Sequence, residues 1–147
     1  MASGDLTLAL GRRLPAPPST VWDAFIDPDR LARWWGPRGF SIPGVRFEPR
    51  VGEGYRIEMQ PPEGDAFHLA GEFRAVDPPR RLSFTFRWEE PDPDDVENVA
   101  ELVFRDAGES TELALAQGPF RTEARRALHH DGWSDSLDKL EALLSRG

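Results

Sequence analysis

The chain has 147 residues, a formal net charge of -8 and no cysteine, which is the size of one ordinary domain able to bury roughly 70% of its unfolded surface. Without cysteine, disulfides, thiolate metal sites and cysteine nucleophiles are excluded, and His68, His129 and His130 are the only nitrogen ligands left. The acidic balance, with arginines scattered and no basic stripe, opposes nucleic acid as a partner.

Leu6, Leu8 and Leu10 alternate with Thr7, Ala9 and Gly11, and the parity runs on to Leu14, so a strand is predicted over 6–14 before Pro15, Pro17 and Pro18. Ser19 or Thr20 then offers an N-cap to a short helix carrying Val21, Trp22, Phe25 and Ile26. Asp27 or Asp29 can start a second short helix through Leu31 and Trp34, closed by Gly36 and Pro37. From 44 to 117 the period switches to two. Val45 with Phe47, then the sets Tyr55 to Met59, Phe67 to Phe73, Leu82 to Trp88, Ala100 to Phe104 and Leu113 to Leu115 mark further strands. Turn clusters separate them, and connections this short force antiparallel hairpins, since a parallel crossover needs about a dozen residues or more.

The segment 122–145 reads as a long helix with Arg126, His130, Trp133, Leu137, Leu140 and Leu144 on one face. Its C-terminal half is apolar, whereas its N-terminal half is polar for a core face. The predicted class is therefore α+β: a curved antiparallel sheet of six to seven strands around a long C-terminal helix, with two short helices after the first strand, as one domain over 1–147. No apolar run approaches the roughly 20 residues of a membrane span, and MASGDLTLAL lacks the layout of a signal peptide. A cytoplasmic location without membrane insertion is expected.

Catalytic constellations are sparse. Adjacent helical residues point about 100° apart, so His129 and His130 cannot easily chelate one ion together, and His68 has the outward parity of its strand. No metal site is expected. The acidic segment 89–101 lacks the glycine and glutamate spacing of an EF-hand and reads as a solvated hairpin tip. No nucleophile elbow, P-loop or dinucleotide fingerprint occurs, so no cofactor is expected. Trp34 and Trp35 read first as a plug for the open end of the sheet, with Trp35 free to rim a pocket mouth.

The order β-α-α-six strands-α and the words APPSTVWDAFIDPDRLARWWGP, FEPRVGEGY, GEFRAVDPPRRLSFTFRW, STELAL and DGWSDSLDKLEALL resemble, in register over nearly the whole chain, the START-like (SRPBCC) family named after the activator of Hsp90 ATPase. The chain departs from that pattern at Gly52-Glu53-Gly54, where a Gly-Gly pair is usual, and at Gln117, where many members carry histidine. The resemblance implies a helix-grip fold with a cavity between sheet and long helix for a small, mostly apolar molecule. The expected ligand-binding residues are Trp35, Tyr55, Ile57, Met59, Phe67, Leu69, Phe86, Trp88, Gln117, Arg126, His130 and Trp133; no catalytic residue is assigned. Ligand binding is the leading expectation. The alternatives are a cyclase- or aromatase-like enzyme with His130 as its base, and a regulator of an Hsp90-type chaperone, although the namesake's second domain has no room in this chain. A second copy of the chain in a homodimer is a further partner expectation that no residue pattern specifies.

Overall fold

Alternating apolar residues from seven consecutive hairpin-length segments can bury one common face only by forming a single sheet, and they do so here in the order β1-β7-β6-β5-β4-β3-β2, every neighbouring pair antiparallel. The computed structural model describes residues 6–145. The N-terminal stretch in which no signal peptide was expected therefore lies partly outside the described residues. The strands are β1 (Leu8–Leu14), β2 (Ser41–Arg46), β3 (Gly54–Gln60), β4 (Phe67–Asp77), β5 (Arg81–Trp88), β6 (Asn98–Asp106) and β7 (Thr111–Gly118). The helices are α1 (Pro18–Ile26), α2 (Pro28–Trp34) and α3 (Glu123–Ser145). This is the expected helix-grip arrangement: a curved sheet around one long helix.

Several boundaries differ from the sequence reading, each for a local reason. β1 starts at Leu8, because Leu6 instead accepts a backbone hydrogen bond from Phe120 at 2.7 Å. The first helix is capped by Pro17, with Pro18 in its first turn, so neither Ser19 nor Thr20 serves as cap. Asp27 does cap α2, accepting from the Asp29 backbone N–H at 3.0 Å. β2 runs earlier than expected, over Ser41–Arg46, and Phe47 lies just beyond it with its ring packed on Tyr55, Phe73 and Phe84. At the start of α3, Thr122 Oγ1 accepts from the Arg125 backbone N–H at 3.1 Å, an N-cap that fixes where the helix begins.

The buried face of the sheet carries Ile57, Leu69, Phe73, Leu82, Phe84, Leu102, Phe104, Leu113 and Leu115, and α3 lays Trp133, Leu137 and Leu140 on it. α1 and α2 close the other end: Trp22 and Phe25 meet Phe104 edge-on at 5.4 and 5.2 Å, and Trp34 donates its indole N–H to the Ala24 carbonyl at 2.9 Å. Trp34 is fully buried, which makes it the plug expected from the tandem tryptophans. Arg12 on β1 reaches across to α3, where Asp138 accepts at 2.7 Å and Glu141 at 3.3 Å. No described helix is long and apolar enough to cross a membrane.

Candidate functional site

α3 seats tightly on the sheet only along its C-terminal half. Near its start, Arg125, Leu128, His129, Gly132, Trp133 and Ser136 border a cleft of about 500 Å³. The opposite walls come from the segment after α2 (Trp35, Gly36, Pro37, Phe40), from the ends of β3, β4 and β5 (Met59, Phe67, Phe86, Trp88) and from the loop after β5 (Glu90, Asp92, Asp95). Its aromatic side chains form two contact groups. Trp35 meets Trp133 at 5.1 Å, Phe40 meets Phe67 at 5.9 Å, Phe67 meets Trp88 at 5.3 Å and Trp88 meets Phe86 at 5.4 Å.

Of the residues expected to bind a ligand, Trp35, Met59, Phe67, Phe86, Trp88 and Trp133 stand on the cleft wall. The others stand elsewhere. Tyr55, Ile57 and Leu69 belong to the closed core, where the Tyr55 hydroxyl donates to the Thr85 carbonyl at 2.6 Å and burial holds its pKa well above the ordinary value. Gln117 is buried behind Trp133, accepting from its indole N–H at 2.7 Å and donating to Asn98 Oδ1 at 2.9 Å; Asn98 in turn donates to the Pro119 carbonyl at 3.3 Å. The polar chain is thus satisfied internally, as a buried amide requires. Arg126 pairs with Glu123 one turn earlier, on the outside of the helix. His130 also turns outward, with its Nδ1 3.7 Å from Asp131 and its side chain 37% exposed.

The histidine that does face the cleft is His129. A helical stripe through Trp133 can be drawn through either 129 or 130, since positions three and four back share a face. The small residues Gly132 and Ser136, which let the segment after α2 approach, are the sequence signal that would have favoured 129. Ser136 Oγ accepts from the Gly36 backbone N–H at 2.9 Å and donates to the Gly132 carbonyl at 2.9 Å. His129 Nδ1 lies 2.9 Å from the Arg125 carbonyl oxygen, and Trp88 donates its indole N–H to Nε2 at 3.1 Å. Those partners assign the proton to Nδ1 and the lone pair to Nε2. Burial lowers the His129 pKa, which favours the neutral ring, packed against Phe120, Phe86 and Trp88. With both nitrogens engaged, His129 positions the wall and has no free lone pair to act as a base.

Charge enters at the mouth. Arg125 Nη2 donates to Asp92 at 2.9 Å and to Asp94 at 3.0 Å, while its Nε is 3.4 Å from Asp95. These interactions tie the acidic loop to the start of α3, so the segment read as a solvated hairpin tip is part of the cleft rim. Only the fold brings Arg125 and that loop together. Hydrogen bonding to Arg125 holds the Asp94 carboxyl below its usual range. Beside the rim, His68, Glu89 and Glu90 place ligand atoms within 4.8 Å of one another. Each is already partnered: Arg56 grips Glu89 with two bonds of 2.9 Å, and Glu90 accepts from the His68 backbone N–H at 2.8 Å while His68 Nδ1 stands 2.8 Å from its other oxygen. His68, expected to face solvent, is in fact only partly exposed because Glu90 folds over it.

Solved structures reproduce this architecture across almost their whole length. A Chromobacterium violaceum protein is 28% identical over 95% of this chain and 96% of its own, with a TM-score of 0.85. A Silicibacter pomeroyi protein of the activator of Hsp90 ATPase type is 28% identical over 95% and 97%, with a TM-score of 0.82. One from Nitrosomonas europaea is 28% identical over 99% and 97%, with a TM-score of 0.81. No curated protein matches the chain. The model of the family described as Activator of Hsp90 ATPase homolog 1-like protein matches residues 15–145, and the chain belongs to that family, within the START-like superfamily.

Proposed function

We propose that the chain binds a small, mostly apolar molecule in the cleft between the N-terminal half of α3 and the ends of β3, β4 and β5. The START-like fold is in general a ligand-binding architecture, and the observation that carries the reading for this chain is the cleft itself. Its volume of about 500 Å³ falls within the roughly 300–1,000 Å³ of small-molecule sites, and its walls are mainly apolar, with Trp35, Phe40, Phe67, Phe86, Trp88 and Trp133 among them. The polar side chains within it, His129, Ser136 and the indoles of Trp88 and Trp133, spend their hydrogen bonds on the protein. Recognition by shape and apolar contact follows, and the loss of a free base at His129 favours binding over turnover.

The neutral fluorescent probe N-phenyl-1-naphthylamine tests this. Binding should raise its emission and quench tryptophan fluorescence, since Trp35, Trp88 and Trp133 stand on the wall. Replacing Trp88→Ala removes one aromatic face and should weaken the probe about tenfold, the equivalent of roughly 1.4 kcal/mol. A folded protein that leaves the probe's emission unchanged would remove the basis for the reading, as would equal affinity in Trp88→Ala.

A further inference from the structure

The rim of the cleft carries a charge imbalance that bears on which apolar molecules it would accept. Glu90, Asp92 and Asp95 border the opening, and Arg125 is the one Arg or Lys among the lining residues. Its guanidinium is already shared among Asp92, Asp94 and Asp95 at 2.9, 3.0 and 3.4 Å. One positive charge against those carboxylates leaves the mouth net negative, before Glu90 is added. Lys139 lies behind the wall and directs its ammonium at the carbonyl oxygens of Trp35 and Pro37, 3.4 Å from each. Arg38 beside it is taken by Asp135 and Asp138. Among the described residues that line the cleft, the one guanidinium or ammonium group is thus already committed to carboxylates.

Inside that rim the walls are rich in π systems. Trp35, Phe67, Phe86, Trp88 and Trp133 line the space, and a cation within about 6 Å of such a ring is attracted by its quadrupole. Acidic rim and aromatic walls thus favour the same ligand charge, and the chain's net charge of -8 adds a longer-range bias of the same sign. We infer that the cleft selects lipophilic amines: molecules with an apolar, preferably aromatic body held between Trp88 and Trp133 and a protonated amino group at the rim near Glu90 and Asp92. The inference rests on the proposed ligand-binding reading and adds to it the charge class of the ligand. It also implies rejection of fatty acids and other lipophilic carboxylates of the same size.

The test displaces bound N-phenyl-1-naphthylamine with three compounds that differ only in head group: 4-(biphenyl-4-yl)butylamine, 4-(biphenyl-4-yl)butanol and 4-(biphenyl-4-yl)butanoic acid, at about pH 7.5, where the amine is protonated and the acid ionised. The amine is expected to compete about tenfold better than the alcohol, and the acid worse than both. Raising the salt concentration should narrow the gap between amine and alcohol by weakening the amine alone. The double variant Glu90→Gln/Asp92→Asn keeps Asp94 and Asp95 on Arg125 and should bring amine and alcohol closer together, with its fold verified by circular dichroism. If the probe binds but amine and alcohol compete equally, or the acid competes best, the charge preference is wrong and the binding reading stands. If neither the probe nor any of the three compounds binds, the binding reading falls and this inference falls with it.

Discussion

At the scale of single residues, Gly71 shows how a missing side chain fixes a neighbour. Tyr55 pairs with Gly71 across β3 and β4, so their side-chain positions share a face, and the Tyr55 ring crosses that space to donate to the Thr85 carbonyl on β5 at 2.6 Å. A Cβ at position 71 would stand 2.7 Å from Tyr55 Cε1 and would press on the Thr85 carbonyl oxygen itself. Neither neighbour can yield cheaply, since one is backbone and the other is packed between Phe47, Phe73 and Phe84. Gly71→Ala should therefore lower the chemical denaturation midpoint by the equivalent of about 2 to 4 kcal/mol, combining overpacking with a strained buried hydrogen bond. An unchanged midpoint would mean that β4 shifts freely at this point. The alternation Phe67, Leu69, Gly71, Phe73 places the glycine on the inner face from sequence alone. That it makes room for a tyrosine from another strand depends on pairing register, which alternation does not encode.

Among the elements, α3 divides into a seated half and an open half, and the two differed in how much of them the sequence revealed. Leu137 and Leu140 are fully buried, as their spacing predicts. Leu140→Ala should cost about 2 to 5 kcal/mol, read as a lowered denaturation midpoint with an unchanged dependence on denaturant; no change would show that the Leu140 side chain is not packed in the core. The antiparallel pairing of β2 through β7 was legible for the same reason: period-two apolar residues with short turns leave few other solutions, whereas the place of β1 beside β7 follows from no spacing. The open half was read less well. Its three- and four-residue spacing points to Arg126 and His130, while the cleft is faced by His129, Gly132 and Ser136. Polar and small residues give weak periodicity, so a choice between adjacent positions depends on partners such as Trp88 and Gly36 that are distant in sequence. Gln117, which stands where many relatives were expected to carry histidine, illustrates the same limit. It looked like a cavity-facing polar group, yet it is held behind Trp133 as a hydrogen-bonded support for the cleft wall.

For the molecule as a whole, His129 couples the cleft to pH. Its pKa is lowered from the ordinary 6.5 chiefly by burial, so the unfolded chain takes up a proton there before the folded chain does. Stability from this group is fully present above the unfolded value, falls as pH drops through about 6.5, and stops falling once the folded-state pKa has been passed. The depressed carboxyls of Glu89, Glu90, Glu123, Asp94 and Asp138 act in the same direction but lower, because their ordinary values lie between 3.8 and 4.5. Above about pH 5 their contribution is essentially complete. The falling net charge works the other way, since approaching the isoelectric point near 4.9 relieves self-repulsion. The clean observable is therefore a difference. Denaturant-derived stabilities of the wild type and of His129→Gln, measured from pH 8 to pH 5, should run parallel above about 7 and then diverge, the wild type losing at most about 1.4 kcal/mol per pH unit relative to the variant. Protonation at Nε2 would also set two N–H groups, those of His129 and Trp88, against each other where they are now 3.1 Å apart, so Trp88 emission should change over the same range in the wild type and not in the variant. Parallel stabilities down to pH 5 would show that His129 accepts its proton in place, and that the neutral ring is not what holds Trp88 against the cleft.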